Sequence, residues 1–246
     1  MEDRARVKAK EEVRLGTWTA AGINEMLAVA SAMPGAPSRI DLISGRFLGA
    51  PYAASTLIAS PGVPEAFVVN LQAVDCFTYL DYVESMRLSR SFAEFKRRLR
   101  MVRYKSGVVA YGSRRHFFTD WTASGRVRDV TGAIGRDKAA TVLKTLNRKG
   151  DGASILPEIR PLSRKVVFIP ARALDGPVLD RLETGDYIGI YTPAPGLDVS
   201  HAGICIRREN RILLRHASSI AQKVIDQDFA PYIEGKPGVV ALRPQG

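Results

Sequence analysis

The chain has 246 residues, 46% hydrophobic and 25% charged, a globular composition long enough to bury a substantial core within one domain. No stretch reaches the roughly 18 apolar residues of a membrane helix, and the opening MEDRARVKAKEEVRLG lacks the apolar centre of a secretory signal, so neither is expected. The net charge of +11 favours anionic partners, but the basic residues are spread along the chain without a zinc-finger spacing, an aromatic RNA-binding signature or a Gly-rich phosphate loop. Specific nucleic-acid binding is therefore not expected. With two cysteines, Cys76 and Cys205, the chain has no disulfide framework and no Cys-based zinc spacing.

In chain order, Ile23 to Ala32 shows helical spacing that Pro34 and Pro37 interrupt, and a second short helix is expected to end at Gly49. Residues 67 to 71 (FVVNL) read as extended. Residues 77 to 88 place Phe77, Leu80, Val83 and Met86 on one helical stripe, which puts Cys76 at a helix start. Ser91 opens another helix, with Phe92, Phe95, Leu99 and Val102 on its apolar face and Lys96, Arg97, Arg98, Arg100 and Arg103 opposite. Residues 107 to 135 have little periodicity but are rich in aromatic and basic side chains, as binding loops often are. A helix is expected over Asp137 to Leu146. Thereafter KVVFIP, DYIGIYT, HAGICIRR, RILLRHAS and GVVALRP read as strands of an antiparallel sheet, and helices followed by strands indicate an α+β fold.

A thiol attacks as thiolate, and a helix N-terminus stabilises that anion, so Cys76 is the candidate nucleophile. Asp75 can cap the same helix, while its charge opposes ionisation of the thiol. Pairing about the turn at Glu209 and Asn210 makes residue numbers sum to 419, so His201 faces residue 218 and lies diagonal to His216; a bulge would bring the two imidazoles directly opposite. Two such histidines suit a base and its orienting partner. A metal site is the rival reading, but further ligands at suitable spacing are missing, so no metal is expected. Cys205 alternates with Ile204 and Ile206 as a packed residue. His116 reads equally as a structural imidazole or a substrate contact, and Arg114, Arg115, Phe117 and Trp121 fit either a pocket wall for an anionic, partly apolar ligand or a surface loop anchored by its aromatics.

The pieces FLGAPY (47 to 52), FVVNLQAVDCFTYLDYV (67 to 83), YGSRRHFFTDW (111 to 121), VSHAGICI (199 to 206) and LLRHAS (213 to 218) together resemble the NlpC-type, papain-like peptidoglycan hydrolases, specifically their N-acetylmuramoyl-L-alanine amidase-like branch. The resemblance implies one catalytic domain over residues 1 to 246, with a helical part at 1 to 45 and a papain-like core at 46 to 246. In that core the Cys lies at a helix N-terminus packed on a C-terminal antiparallel sheet. It implies Cys76 as nucleophile, His201 as base, His216 as orienting residue, and Tyr52 with the Cys76 N–H at the oxyanion site. Asp75, Tyr111, Arg114, His116 and Trp121 complete the candidate contacts. No cofactor is implied, and the implied partner is peptidoglycan or soluble muropeptides. The chain departs from the wider superfamily in reading DCFT for DCSG, in lacking WGG after PY, and in placing Tyr52 24 positions before Cys76, as an insertion would. Cleavage within the stem peptide, acyl transfer from the same site, and a polyanion-binding module without catalysis are the competing expectations. Localisation and oligomeric state are left open by the sequence.

Overall fold

The computed structural model describes residues 9–59 and 62–246, and three of its four longer helices begin where the sequence supplies a side-chain cap. Helix α1 (Ala20–Ala32) starts with Gly22 N–H donating to Thr19 Oγ1 at 3.0 Å, and α2 (Gly35–Gly45) follows after Pro34. Asp75 caps α3 (Cys76–Arg87), accepting from the N–H groups of Phe77 and Thr78, while Thr78 Oγ1 accepts in return from Asp75 N–H. This reciprocal box, worth about 1 kcal/mol, fixes the first turn and with it Cys76. Ser91 caps α4 (Phe92–Arg103) through Glu94 N–H.

Near the N-terminus β1 (Glu11–Arg14) pairs in parallel with β2 (Phe67–Asn70). The main sheet is antiparallel throughout, in the order β4 (Ala140–Leu146), β5 (Leu162–Pro170), β10 (Gly238–Pro244), β6 (Tyr187–Tyr191), β7 (Val199–Arg208), β8 (Arg211–Ser218), β9 (Lys223–Asp228), with β3 (Val127–Asp129) also on β10. Three short helices, α5 (Thr131–Gly135), α6 (Gly176–Leu179) and α7 (Phe229–Ile233), complete the structure. Alternation along the strands gives each face its own core. Ala202, Ile204 and Tyr187 join the cluster shared by α1 to α4, so the N-terminal helices and the sheet bury one continuous apolar region. Cys205, Ile188 and Leu214 face the other way, against Phe229, Ile233 and Val178.

The five strands read from the sequence are present, and the architecture is helices packed with an antiparallel sheet. One expectation is corrected: the helix placed over Asp137 to Leu146 is a 3₁₀ turn followed by strand β4. All seven residues of β4 pair with β5, and this non-local ladder overrides local helix propensity. Strand β9 carries no turn signal before it, since Ser219 to Gln222 contain no Gly, Pro or Asn, and was not expected. No helix among the described residues is long and apolar enough to cross a membrane.

Helix α3 is buried on every side, including its charged residues, and each charge has a partner. Arg103 belongs by spacing to the basic face of α4, yet it turns inward, where its Nε donates to Asp81 Oδ2 at 2.7 Å and its Nη1 to the Val68 carbonyl at 2.6 Å. That pair ties α3, α4 and β2 together, and Arg87 does the same for α3 and the chain end through Glu84 and the Gly246 carbonyl. The rest of the α4 cationic face is engaged as well: Lys96 and Arg100 pair with Glu11, and Arg97 and Arg98 with Glu94. Removing one partner of the buried pair, as in Asp81→Ala, strands the Arg103 charge and is expected to cost about 3–5 kcal/mol in urea unfolding. The double change Asp81→Leu with Arg103→Met should recover most of that loss.

Candidate active site

The loop that carries Tyr52 reaches the start of α3 through backbone bonds. Gly49 N–H donates to the Val224 carbonyl and Tyr52 N–H to the Gln222 carbonyl on one side. On the other, Val74 N–H donates to the Pro51 carbonyl and Ala53 N–H to the Val74 carbonyl. Residues 49 to 53 therefore form a strap between β9 and the residue two before Cys76. The intervening residues hold β2, which is why 24 positions of sequence separate neighbours in space.

Opposite this strap lies the end of the β7–β8 hairpin. Its ladder runs from Arg208↔Arg211 to Ile204↔Arg215, keeping the sum of 419. Beyond that point His201 and His216 meet, with His201 Nε2 2.8 Å from His216 Nδ1 and the rings edge to face. The register shift accompanying this contact lies between β6 and β7 rather than between β7 and β8, at Ile190 and Tyr191. Gly203 makes the diagonal contact possible: a Cβ there would stand 2.9 Å from His216 Cβ and 2.8 Å from Leu214 Cδ1, so the absence of a side chain lets His216 lie over β7. Among the described residues His201 Nδ1 has no protein partner, whereas His216 Nε2 lies 3.3 Å from Gln227 Oε1.

Cys76 is mostly buried, and burial followed by the Asp75 carboxylate pushes its thiol up to about 11. The N–H groups of Ala202, Cys76 and Phe77 act the other way without reversing the shift. The expected lowering of the thiol by the helix N-terminus is thus outweighed by burial first and by the charge of the Asp75 cap second. His201 moves down to about 4 through burial, helped by the charges of His216 and Lys236, and burial also lowers His216. At neutral pH the pair rests as thiol and neutral imidazole. Tyr52 and Tyr232 are both raised, first by burial and next by the charge of Cys76, Tyr232 to about 12. Tyr232 on α7 also packs on both imidazoles, with ring centroids 5.2 Å from His216 and 6.4 Å from His201.

Cys76, Tyr52, His201 and His216 are therefore brought together, along with Gln227 and Tyr232, which sequence reasoning missed. Gln227 sits on the unexpected strand β9, and Tyr232 follows it in APYIEGKP, where no spacing marks it. The other expected contacts are engaged with partners of their own. Asp75 is the helix cap, and a carboxylate has no proton to offer an oxyanion. Trp121 is 2% exposed and packs between Phe77 and Tyr187, in the core rather than on a pocket wall. Arg114 pairs with the buried Glu65, which also accepts from Tyr104 Oη at 2.6 Å. His116 Nε2 lies 2.9 Å from the Tyr111 carbonyl, and its ring packs on that of Tyr111. These three residues hold the 104–116 segment together, the structural reading of His116. No group of three or more His, Cys, Asp or Glu among the described residues is placed to hold a metal ion.

A neutral resting pair predicts that alkylation of Cys76 by iodoacetamide, followed by mass spectrometry to separate it from the buried Cys205, keeps accelerating from pH 7 through pH 10. A rate already level by pH 6 would indicate a preformed thiolate and imidazolium instead.

Comparison with known proteins finds relatives of this chain. A family model described as AmiA-like, N-acetylmuramoyl-L-alanine amidase-like, matches residues 42–239. A crystal structure of an N-acetylmuramoyl-L-alanine amidase from Bacteroides uniformis is 27% identical, with a TM-score of 0.70 over 91% of this chain and 99% of its own. A Legionella pneumophila protein, 23% identical, has a TM-score of 0.78 over 92% of this chain and 94% of its own, a likeness of fold. Among curated proteins none matches.

Proposed function

This chain belongs to the AmiA-like, N-acetylmuramoyl-L-alanine amidase-like family, and from that premise we propose that it is a cysteine hydrolase cutting the amide between the lactyl group of N-acetylmuramic acid and L-alanine in peptidoglycan fragments. The observation that carries the reading is the meeting of Cys76, at the start of α3, with the strand segment holding His201, whose neighbour Ala202 directs its N–H at the sulfur. A mostly buried thiol set against the strand that carries one imidazole, itself backed by a second, is an arrangement suited to acyl transfer. The Cys-bearing helix set against an antiparallel sheet also supports reading the fold as papain-like, of the NlpC type, with residues 1 to 246 as one catalytic domain.

In this mechanism His201 Nδ1 takes the thiol proton as Sγ bonds to the lactyl carbonyl carbon. Because the resting pair is neutral, proton transfer accompanies attack rather than preceding it. The carbonyl oxygen becomes an oxyanion, held by the Cys76 N–H and the Tyr52 hydroxyl. The carbon–nitrogen bond then breaks, the imidazolium proton passes to the departing alanine nitrogen, and a thioester remains on Cys76. Water, deprotonated by the same imidazole, attacks the thioester carbon; the lactyl carboxylic acid leaves and the thiol is restored. His216 stabilises the transient imidazolium through its contact with Nε2. The chain itself supplies every group in these steps.

The test is digestion of soluble muropeptides by the wild type and Cys76→Ala, with products weighed by mass spectrometry. Expected is free muramyl sugar together with an intact stem peptide, reduced by at least about 10³-fold in the variant. Stem peptides cut internally would move the scissile bond to an endopeptidase position, and acyl products with an added amine would show transfer. Salt-dependent polyanion binding with no Cys76-dependent product would replace catalysis with a binding role.

A further inference from the structure

His201 serves as a base only if its proton sits on Nε2, leaving a lone pair on Nδ1 for the thiol, and the chain of contacts behind it decides that. Gln227 Oε1 is 3.3 Å from His216 Nε2, and His216 Nδ1 is 2.8 Å from His201 Nε2. An amide oxygen accepts only, so a neutral His216 spends its single N–H on Gln227 and keeps a lone pair at Nδ1. That lone pair in turn engages the N–H of His201 at Nε2 and strips Nδ1 of its proton. We infer that Gln227 is a positioning residue that sets the tautomers of both imidazoles and so orients His201 as acceptor for the Cys76 proton. This rests on the proposed role of His201 as the base.

The surroundings make a neutral acceptor the fitting choice. Gln227 stands on β9 opposite Leu214, with His216 opposite Ile225, so the amide and the second imidazole are diagonal neighbours on one face. The adjacent carboxylate, Asp226, is bound through both oxygens by Arg215 at 2.7 Å, which leaves the Gln227 oxygen as the uncharged acceptor for Nε2. Tyr232 on α7 packs across both rings and fixes their planes, with Lys236 5.7 Å above it. The titratable and charged groups facing the pair are thus Tyr232 and Lys236 from α7 and the turn after it, and Asp226 from β9, with Cys76 from α3 bordering Tyr232. A carboxylate in place of the amide would favour a protonated His216. Its Nδ1–H would then point at His201 Nε2, drive the His201 proton to Nδ1 and remove the acceptor from the thiol.

The experiment reads tautomers and rates separately. In ¹⁵N-labelled Cys76→Ala protein, long-range ¹H–¹⁵N spectra should show both histidines with the proton on Nε2, and Gln227→Leu in the same background should show His216 as a mixture. In the active protein Gln227→Leu should lower kcat by about 10-fold, part of the 10²–10⁴ that a positioned base supplies, while KM stays within about two-fold. Gln227→Glu should shift the acid limb of kcat upward by about one pH unit or more, as His216 protonates. The proposal is overturned by a proton on Nδ1 of either histidine in the parent protein, by tautomers unchanged in Gln227→Leu, or by wild-type pH profiles in both variants. Absence of turnover on every muropeptide would sink the amidase reading, while the spectra would still decide the role of Gln227.

Discussion

The register of the hairpin β7–β8 governs where the two imidazoles of the candidate site can meet. Pairing that starts at Arg208↔Arg211 places Gly203 across from His216, and because Gly203 has no side chain the second imidazole can lie over its neighbour strand and reach His201. A slip of β8 by one residue would send His216 to the opposite face, toward the helices and away from His201. Glu209 at the turn takes a positive φ of 46°, a conformation that costs a non-glycine residue some energy and is held by the ladder on either side. The hairpin thus fixes two imidazoles in contact, and the strap of residues 49 to 53 fixes the helix start that faces them.

Positioning and activation pull against each other at Cys76. The Asp75 cap secures the first turn of α3, but it places a negative charge beside the thiol, which opposes the thiolate after burial has already done so. His201 is lowered by its own burial as well, so at neutral pH both the thiol and this imidazole are uncharged. A thiol held protonated in this way is shielded from alkylation and oxidation. In the proposed mechanism the histidine and amide chain behind His201 gains importance in consequence, since tautomer rather than charge would ready the base.

Support for α3 comes from charges that a stripe analysis assigns to solvent. Arg103 and Arg87 both enter the interior, where Asp81 and Glu84 meet them, and Tyr187 adds its hydroxyl to Glu84 at 2.7 Å. Several of the remaining cations are absorbed in the same way, by Glu11, Glu94, Asp41, Asp226 and Glu65. The excess positive charge therefore maps to no single polyanion-binding face built from these residues.

Local patterning in the sequence was sufficient to locate α1, α3 and α4, five strands of the sheet, the helix start at Cys76 and the 419 register of the histidine hairpin, because each depends on neighbours within a few residues or on one turn. Tertiary structure alone decided the rest. Strand β4 exists because β5 pairs with it, against its own helical signal, and Trp121 is core because Phe77 and Tyr187 enclose it. The thiol rises rather than falls because burial and an occupied cap outweigh the helix terminus. Gln227 and Tyr232 enter the site only through the order of strands and the fold-back of α7. Residues 76, 201, 216, 227 and 232 are distant along the chain, and no spacing rule spans such separations; their meeting is set by packing, which is a property of the whole chain.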